Sequence, residues 1–165
     1  MKTIKSAEFI KQLGKGSWTY IKTIVDISRE PILVLDKYLR VIVANEPFYQ
    51  MFKVKPKDTE GQIIHKLGNG QWNIPVLQKL LGDILPRNTF FKGFEVVHEF
   101  PIIGRQTIIL NARRIYCGKN AVSRLCSPII LLAMENVTEI MGIAETFTNY
   151  VEKLKREVYD LKKNT

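Results

Sequence analysis

Only two cysteines, Cys117 and Cys126, and two histidines, His65 and His98, occur in 165 residues. The cysteines are too few for a disulfide framework and lack the paired spacing of a zinc site, so no metal is expected. They flank a loop between two expected strands, which leaves free thiols or a cross-strand pair formed on oxidation. Long apolar runs are missing too. "PIILLAM" at 128–134 falls far short of the roughly twenty residues a membrane helix needs, so no membrane partner is expected. The opening "MKTIKSAEFIKQLGKGSW" has lysines but no continuous apolar core and no small-residue cleavage pattern; a cytoplasmic location is predicted.

A concentrated basic patch is also lacking. The formal charge is +9, but it is spread: six basic and three acidic groups in residues 1–30, fourteen and eight in 31–138, five and five in 139–165. No arginine run exceeds Arg113-Arg114, and a diffuse excess reads as solvated surface, so no nucleic-acid partner is expected. What is present is a hydrophobic content of 45%, enough for one packed domain with extensions.

Along the chain, residues 6–28 read as two helical pieces. Phe9, Ile10 and Leu13 form one stripe, "GKGS" interrupts, and Ser17 is placed to cap a second helix with Tyr20, Ile21, Ile24 and Val25 on one face. Pro31 stops it, since the preceding residue is driven out of helical geometry. "ILVLDKYLRVIVANE" reads as a hairpin turning at Asp36-Lys37-Tyr38-Leu39. Asn45 caps, and Pro47 starts, a short helix whose Phe48, Met51 and Phe52 cover the sheet. In the turn-rich "KPKDTEG", Asp58 or Thr59 is available to cap a helical turn through "IIHKL". Ile74, Leu77, Leu80, Leu81, Ile84 and Leu85 recur at helical spacing between Pro75 and Pro86. Three strands follow. In "FEVVHEF", Phe94, Val96, His98 and Phe100 alternate with Glu95, Val97 and Glu99; "PIIGR" turns; "QTIILNARRIYC" and "PIILLAMENVT" are strands about a loop at 118–127. The order predicts an α+β fold: a five-stranded antiparallel sheet with helices on one face.

The glycine-rich stretches do not make phosphate cradles. "LGNGQW" at 67–72 lacks the third glycine, the preceding strand and the long following helix of a dinucleotide loop, and "GKGS" lacks the earlier glycine and strand of a nucleotide loop. The first is predicted to be a left-handed turn that ends one helix and aims Trp72 at the interior or its mouth.

"PILVLDKYLRVIVANEPFYQMF" resembles the opening hairpin and first helix of PAS domains, the sensory modules of bacterial signalling proteins, with Asp36 ending the first strand and Asn45 preceding the helix. "LLAMENVTE" is similar to that family's closing strand and junction, carried by Glu135, Asn136, Val137, Thr138 and Glu139. Aspartate is more frequent in the family where Asn136 stands, which implies weaker polar contacts there. "LGNGQWNIP" with "FEVVHEFPIIGRQTIILNARRI" resembles a subgroup found in sensor histidine kinases. The resemblance covers roughly residues 20–140 and implies a lead-in at 1–30, a PAS domain at 31–138 and a signalling helix at 139–165. It also implies an interior that holds haem, flavin, a small ligand such as a small acid, or nothing. Candidates to face it are Phe48, Phe52, His65, Trp72, Leu77, His98 and Asn111. The cysteine-containing flavin motif of the light-sensing branch is absent, and the histidines read as hydrogen-bonded core residues before iron ligands. No nucleophile, base and orienter set assembles; a pocket enzyme using His98 with Glu95 or Arg113 is the catalytic rival. Thr107, Asn111 and Arg113 share one side of the long strand, facing a polar ligand, solvent or a second subunit.

From Val137, positions a and d of a seven-residue repeat are Val137, Ile140, Ala144, Phe147, Val151, Leu154, Val158 and Leu161. Valine at a with leucine at d favours a parallel two-stranded coil, with Glu157 at g able to reach a partner's Lys162 at e. The alternative is a helix folded back onto its own domain. No phosphoacceptor histidine follows the last strand, so the expected role is the input part of a sensor kinase, or a regulator pairing with a signalling kinase or response partner, that senses a ligand or redox change. A ligand-free module that only joins partners is the rival within the same fold.

Overall fold

The computed structural model describes residues 15–85, 89–116 and 128–163. The elements run α1 (Lys15–Ile27), β1 (Ile32–Leu35), β2 (Val41–Ala44), α2 (Glu46–Phe52), α3 (Pro56–Thr59), a 3-10 turn (Ile64–Lys66) and α4 (Leu67–Gly70). There follow α5 (Pro75–Lys79), which continues as a π-helical turn (Leu80–Ile84), then β3 (Phe90–Phe100), β4 (Gly104–Ile115), β5 (Ile129–Asn136) and α6 (Thr138–Lys163). The strands form one sheet in the order β2-β1-β5-β4-β3, every neighbouring pair antiparallel.

The apolar run Ile32–Leu35 is buried at every position because both faces of the sheet are covered. Leu33 and Leu35 enter the main core, between the sheet and the helices connecting β2 to β3; Ile32 and Val34 enter a second core under α1, with Ile42, Val43 and Ile129. Asp36 shapes the hairpin, its Oδ1 accepting from the backbone N–H of Tyr38 (2.8 Å) and Arg40 (2.9 Å). Asn45 caps α2 as expected, its Oδ1 accepting from Phe48 N–H at 3.2 Å, and it does more. The same oxygen accepts from Ile32 N–H (2.8 Å), while Nδ2 donates to Glu30 O (2.7 Å) and Val25 O (3.2 Å). One buried amide therefore joins the end of α1, the start of β1 and the start of α2.

Several local expectations are corrected. Helix α1 begins at Lys15, so Ser17 lies inside it and is not its cap. Its covered face is Trp18, Ile21 and Val25; Tyr20 and Ile24 are exposed, because α1 lies on the outer sheet face and only the stripe led by Trp18 points inward. Asp58 and Thr59 belong to α3, and the 3-10 turn follows Ile63 without a side-chain cap; Thr59 Oγ1 instead donates to Lys55 O at 2.9 Å. The helix from Pro75 widens into a π turn, yet Ile74, Leu77, Leu80, Leu81 and Leu85 are buried as their spacing requires. Strand β3 starts at Phe90, ahead of the alternating segment, across an irregularity between Phe91 and Phe94. The stripe Phe9, Ile10 and Leu13, the stop at Pro86, and both Cys117 and Cys126 lie outside the described residues.

Candidate functional site

The interior is built from four rings. Phe48 and Phe52 come one turn apart on α2, Phe100 ends β3, and Trp72 follows α4. Ring centroids lie 4.9 Å apart for Phe48 and Phe52, 5.8 Å for Phe48 and Trp72, 4.6 Å for Phe52 and Trp72, and 5.4 Å for both Phe52–Phe100 and Trp72–Phe100. These are the edge-on and offset separations that ring quadrupoles favour. The turn at "LGNGQW" delivers Trp72 there: Gly68 and Gly70 take φ of 54° and 87°, the left-handed region a Cβ disfavours. Stretch 67–70 is itself a single helical turn, and the indole that follows is 1% exposed. Its Nε1–H has no hydrogen-bond partner.

Leu77 packs in the same core, and His98 meets Phe100 edge-on at 4.8 Å. His65, in the 3-10 turn, is partly buried. A flavin or haem would need the space that the four rings fill, so the residues present at this position do not fit a planar cofactor. Asn111 is not with them. On β4, Ile108, Leu110 and Ala112 face the main core, and strand alternation sends Thr107, Asn111 and Arg113 to the opposite face. Asn111 Oδ1 accepts there from Gly93 N–H at 2.9 Å, closing the irregularity in β3. The same alternation separates His98 from Glu95 and Arg113, so the catalytic rival loses its constellation. Among the described residues no three His, Cys, Asp or Glu side chains cluster as a metal site would require.

The junction residues do come together. Asn136 Oδ1 accepts from Thr138 N–H (3.0 Å) and Thr138 Oγ1–H (2.6 Å), and its Nδ2 donates to Gln106 Oε1 (2.8 Å). Thr138 Oγ1 accepts from Thr107 N–H (2.8 Å), Val137 N–H donates to Thr107 O (2.9 Å), and Gln106 Nε2 donates to Ile103 O (2.7 Å). The chain of bonds runs from the β3–β4 turn through β4 and the end of β5 into the first turn of α6. The Asn136 amide both accepts and donates here, its Nδ2 reaching Gln106 Oε1. Sequence reading missed Gln106, whose place in the network comes from the β4–β5 register that sets Ile108 opposite Asn136. Glu135 is exposed and pairs in register with Ile109.

Helix α6 spans 26 residues with none buried, which rejects folding back onto its own sheet in this structure. Ile140, Phe147, Leu154, Val158 and Leu161 of the heptad are exposed by 41–69%. Ile143 and Tyr150, one position before Ala144 and Val151, widen the apolar surface upstream. No helix among the described residues is long and apolar enough to cross a membrane.

No family model matches the sequence, and no curated protein does. Solved structures match the fold. The PAS domain of Bordetella pertussis BvgS is 14% identical, with a TM-score of 0.53 over 84% of this chain and 98% of that one. The Rhodobacter sphaeroides LOV protein is 16% identical, with a TM-score of 0.58 over 75% of this chain and 68% of that one. The PAS domain of nitrogen regulation protein NR(II) from Vibrio parahaemolyticus is 15% identical, with a TM-score of 0.51 over 70% and 96%. With the strand order, the antiparallel pairing and the helices between β2 and β3, these likenesses show that the chain has the PAS fold.

Proposed function

We propose that the chain is a cytoplasmic sensory and dimerisation module of a signal-transduction protein, in which a ligand or redox change at the PAS core reaches a parallel two-helix coil through Asn136, Val137 and Thr138. The observation that carries this reading is α6: it leaves β5 through a hydrogen-bonded junction and keeps most of its apolar stripe, Ile140, Phe147, Leu154, Val158 and Leu161, in solvent. An isolated helix with that much uncovered hydrocarbon gains by pairing, and a seven-residue repeat of a and d positions suits a second copy of itself. Support also comes from the fold's occurrence in a two-component sensor histidine kinase, which makes the input part of such a kinase, or a regulator of one, the fitting context. Nothing in the reading requires nucleic acid or a membrane.

Sedimentation equilibrium across the micromolar range tests it. A dimer that dissociates when α6 is cut before Gly142 supports the coil; a monomer at high micromolar concentration with α6 intact refutes it. A second reading, a ligand-free module that joins protein partners, draws on the interior filled by Phe48, Phe52, Trp72 and Phe100. An absorption spectrum and native mass of freshly purified protein separate the two, since bound small molecules add mass or colour.

A further inference from the structure

At the end of the sheet remote from α6, a cleft of about 270 Å³ opens between the β1–β2 turn, the π turn after α5 and the paired ends of β4 and β5. Leu39, Leu81, Leu85 and Ile130 make an apolar floor; Lys37 and Arg114 are the charged groups lining it. Arg114 occupies the inward-facing register of β4, opposite Ile130 and two residues beyond buried Ala112. Its Nε is buried and has no hydrogen-bond partner. The guanidinium lies 5.4 Å from the Tyr116 ring, a contact that supplies no acceptor for that N–H.

A buried guanidinium donor is costly unless an anion completes it. Among the described residues no carboxylate pairs with it. Residues 100–134 contain no Asp or Glu while carrying Arg105, Arg113, Arg114, Lys119 and Arg124, and residues 84–94 contain none either. Of the acids on the elements around the cleft, Asp36 is engaged by the backbone N–H of Tyr38 and Arg40, and Asp83 is exposed on the π turn. Neither Lys37 nor Arg114 is in an ion pair among the described residues.

We infer that this cleft binds a small organic carboxylate with an apolar body, the carboxylate taking hydrogen bonds from Arg114 with Lys37 at the rim, and the hydrocarbon lying on Leu39, Leu81, Leu85 and Ile130. The forked guanidinium matches a carboxylate, and the apolar floor selects against a bare inorganic anion, which would leave it wet. The site is separate from the aromatic interior, and it stands whether or not α6 forms a coil.

Calorimetric titration of the full chain with hexanoate, hexanol and inorganic phosphate tests the assignment. Hexanoate is expected to bind saturably and to shift the backbone amide signals of Leu39, Gly82 and Arg114. Hexanol is expected to bind at least tenfold more weakly, and phosphate not to compete. Arg114→Gln should weaken hexanoate at least tenfold; Lys37→Gln, in an exposed turn, should weaken it severalfold and serves if the first variant does not fold. The assignment is overturned if wild-type protein shows no saturable hexanoate binding, if phosphate or hexanol matches hexanoate, if amide shifts centre on Trp72 and Phe52 instead, or if the substitution leaves affinity unchanged. Saturable binding at the cleft by a monomeric protein would uphold this site while refuting the coil.

Discussion

Replacing Asn45 by alanine tests the physical reasoning most sharply, because one side chain, 1% exposed, holds three elements. Truncation removes the N-cap of α2, at about 1 kcal/mol. It also leaves Ile32 N–H, previously 2.8 Å from Oδ1, buried with no acceptor, at about 1–3 kcal/mol. Glu30 O loses its 2.7 Å donor but lies near the surface, where water replaces it at little cost. The sum is about 3 kcal/mol, a large share of the roughly 5–15 kcal/mol of a typical domain. For a chain of this size that corresponds to a fall in melting temperature of roughly 10 °C. Urea unfolding followed by circular dichroism should show a lowered midpoint with an unchanged slope, and amides of α1 should exchange faster than those of β3 and β4. Asn45→Asp separates the two roles of the amide: it keeps both acceptor bonds, loses the donor bonds to Val25 O, Ser28 O and Glu30 O, and sets a carboxylate against Glu30 O. It should be nearly as destabilising. A loss below about 1 kcal/mol for either variant would mean that the network between α1, β1 and α2 carries little of the stability.

Three other outcomes follow from the geometry. In the proposed coil, Leu154→Lys would remove one seam leucine from each helix and put like charges there, so dimer dissociation should rise by more than about a hundredfold, read by sedimentation velocity; an unchanged dimer places the interface elsewhere. Thr138→Val keeps the shape but deprives Thr107 N–H of its 2.8 Å acceptor, at about 1–2 kcal/mol, and hydrogen exchange at Thr107 and Met141 should quicken by about tenfold. Exchange unchanged at Thr107 would show that the junction bond carries nothing. Burial, with the nearby Glu60 carboxylate second, pushes the Tyr49 phenol up to about 12. A folded value above the unfolded one means stability present below pH 10 and lost as pH rises toward about 12, so ultraviolet titration should show Tyr49 ionising near pH 12, with Glu60→Gln lowering its midpoint.

How much of this was legible depends on the range of the signal. The strands, the cap at Asn45, the glycine turn before Trp72 and the long last helix are local: each is set by alternation, by a capping atom or by a positive φ within a few residues. The site residues are set by register, which is long-range. Asn111 shares one side of β4 with Thr107 and Arg113, a side that by sequence alone suits a polar ligand, solvent or a second subunit; it faces away from the aromatic interior because pairing makes Ile108, Leu110 and Ala112 the inward row. By the same period of two, Arg114 belongs to that inward row, a signal that was available but obscured by the adjacent Arg113. Gln106 and Asn45 act through bonds to residues 30 and 13 positions away, and no local pattern announces these. Helical spacing in Tyr20, Ile21, Ile24 and Val25 says only that a stripe exists; Trp18, Ile21 and Val25 form the one that meets the sheet.

A ladder without a register shift joins the two ends of the sheet. Pairing of β4 with β5 runs without a register shift from Ile108 opposite Asn136 to Ile115 opposite Ile129, whereas β1–β2 and β3–β4 each contain one. The cleft at Arg114 and Ile130 and the junction at Asn136 therefore sit at opposite ends of one unbroken ladder, about 20 Å apart at roughly 3.3 Å per residue. A bulge absorbs a local displacement by bending one strand; an unbroken ladder passes it on as a tilt of both. Ligand binding at one end can alter the helix only in proportion to its differing affinity for two sheet positions, so a coil shifted between comparable arrangements needs a difference of a few kcal/mol. The side of the sheet carrying α1 bears on the same balance, because Leu131 and Ala133 of β5 pack against the same second core as Trp18 and Ile21. Loosening α1 by Asn45→Ala should therefore soften β5 along its outer face, read as faster amide exchange at Leu131 and Ala133, and weaken the proposed coupling of cleft and coil even though neither site is touched.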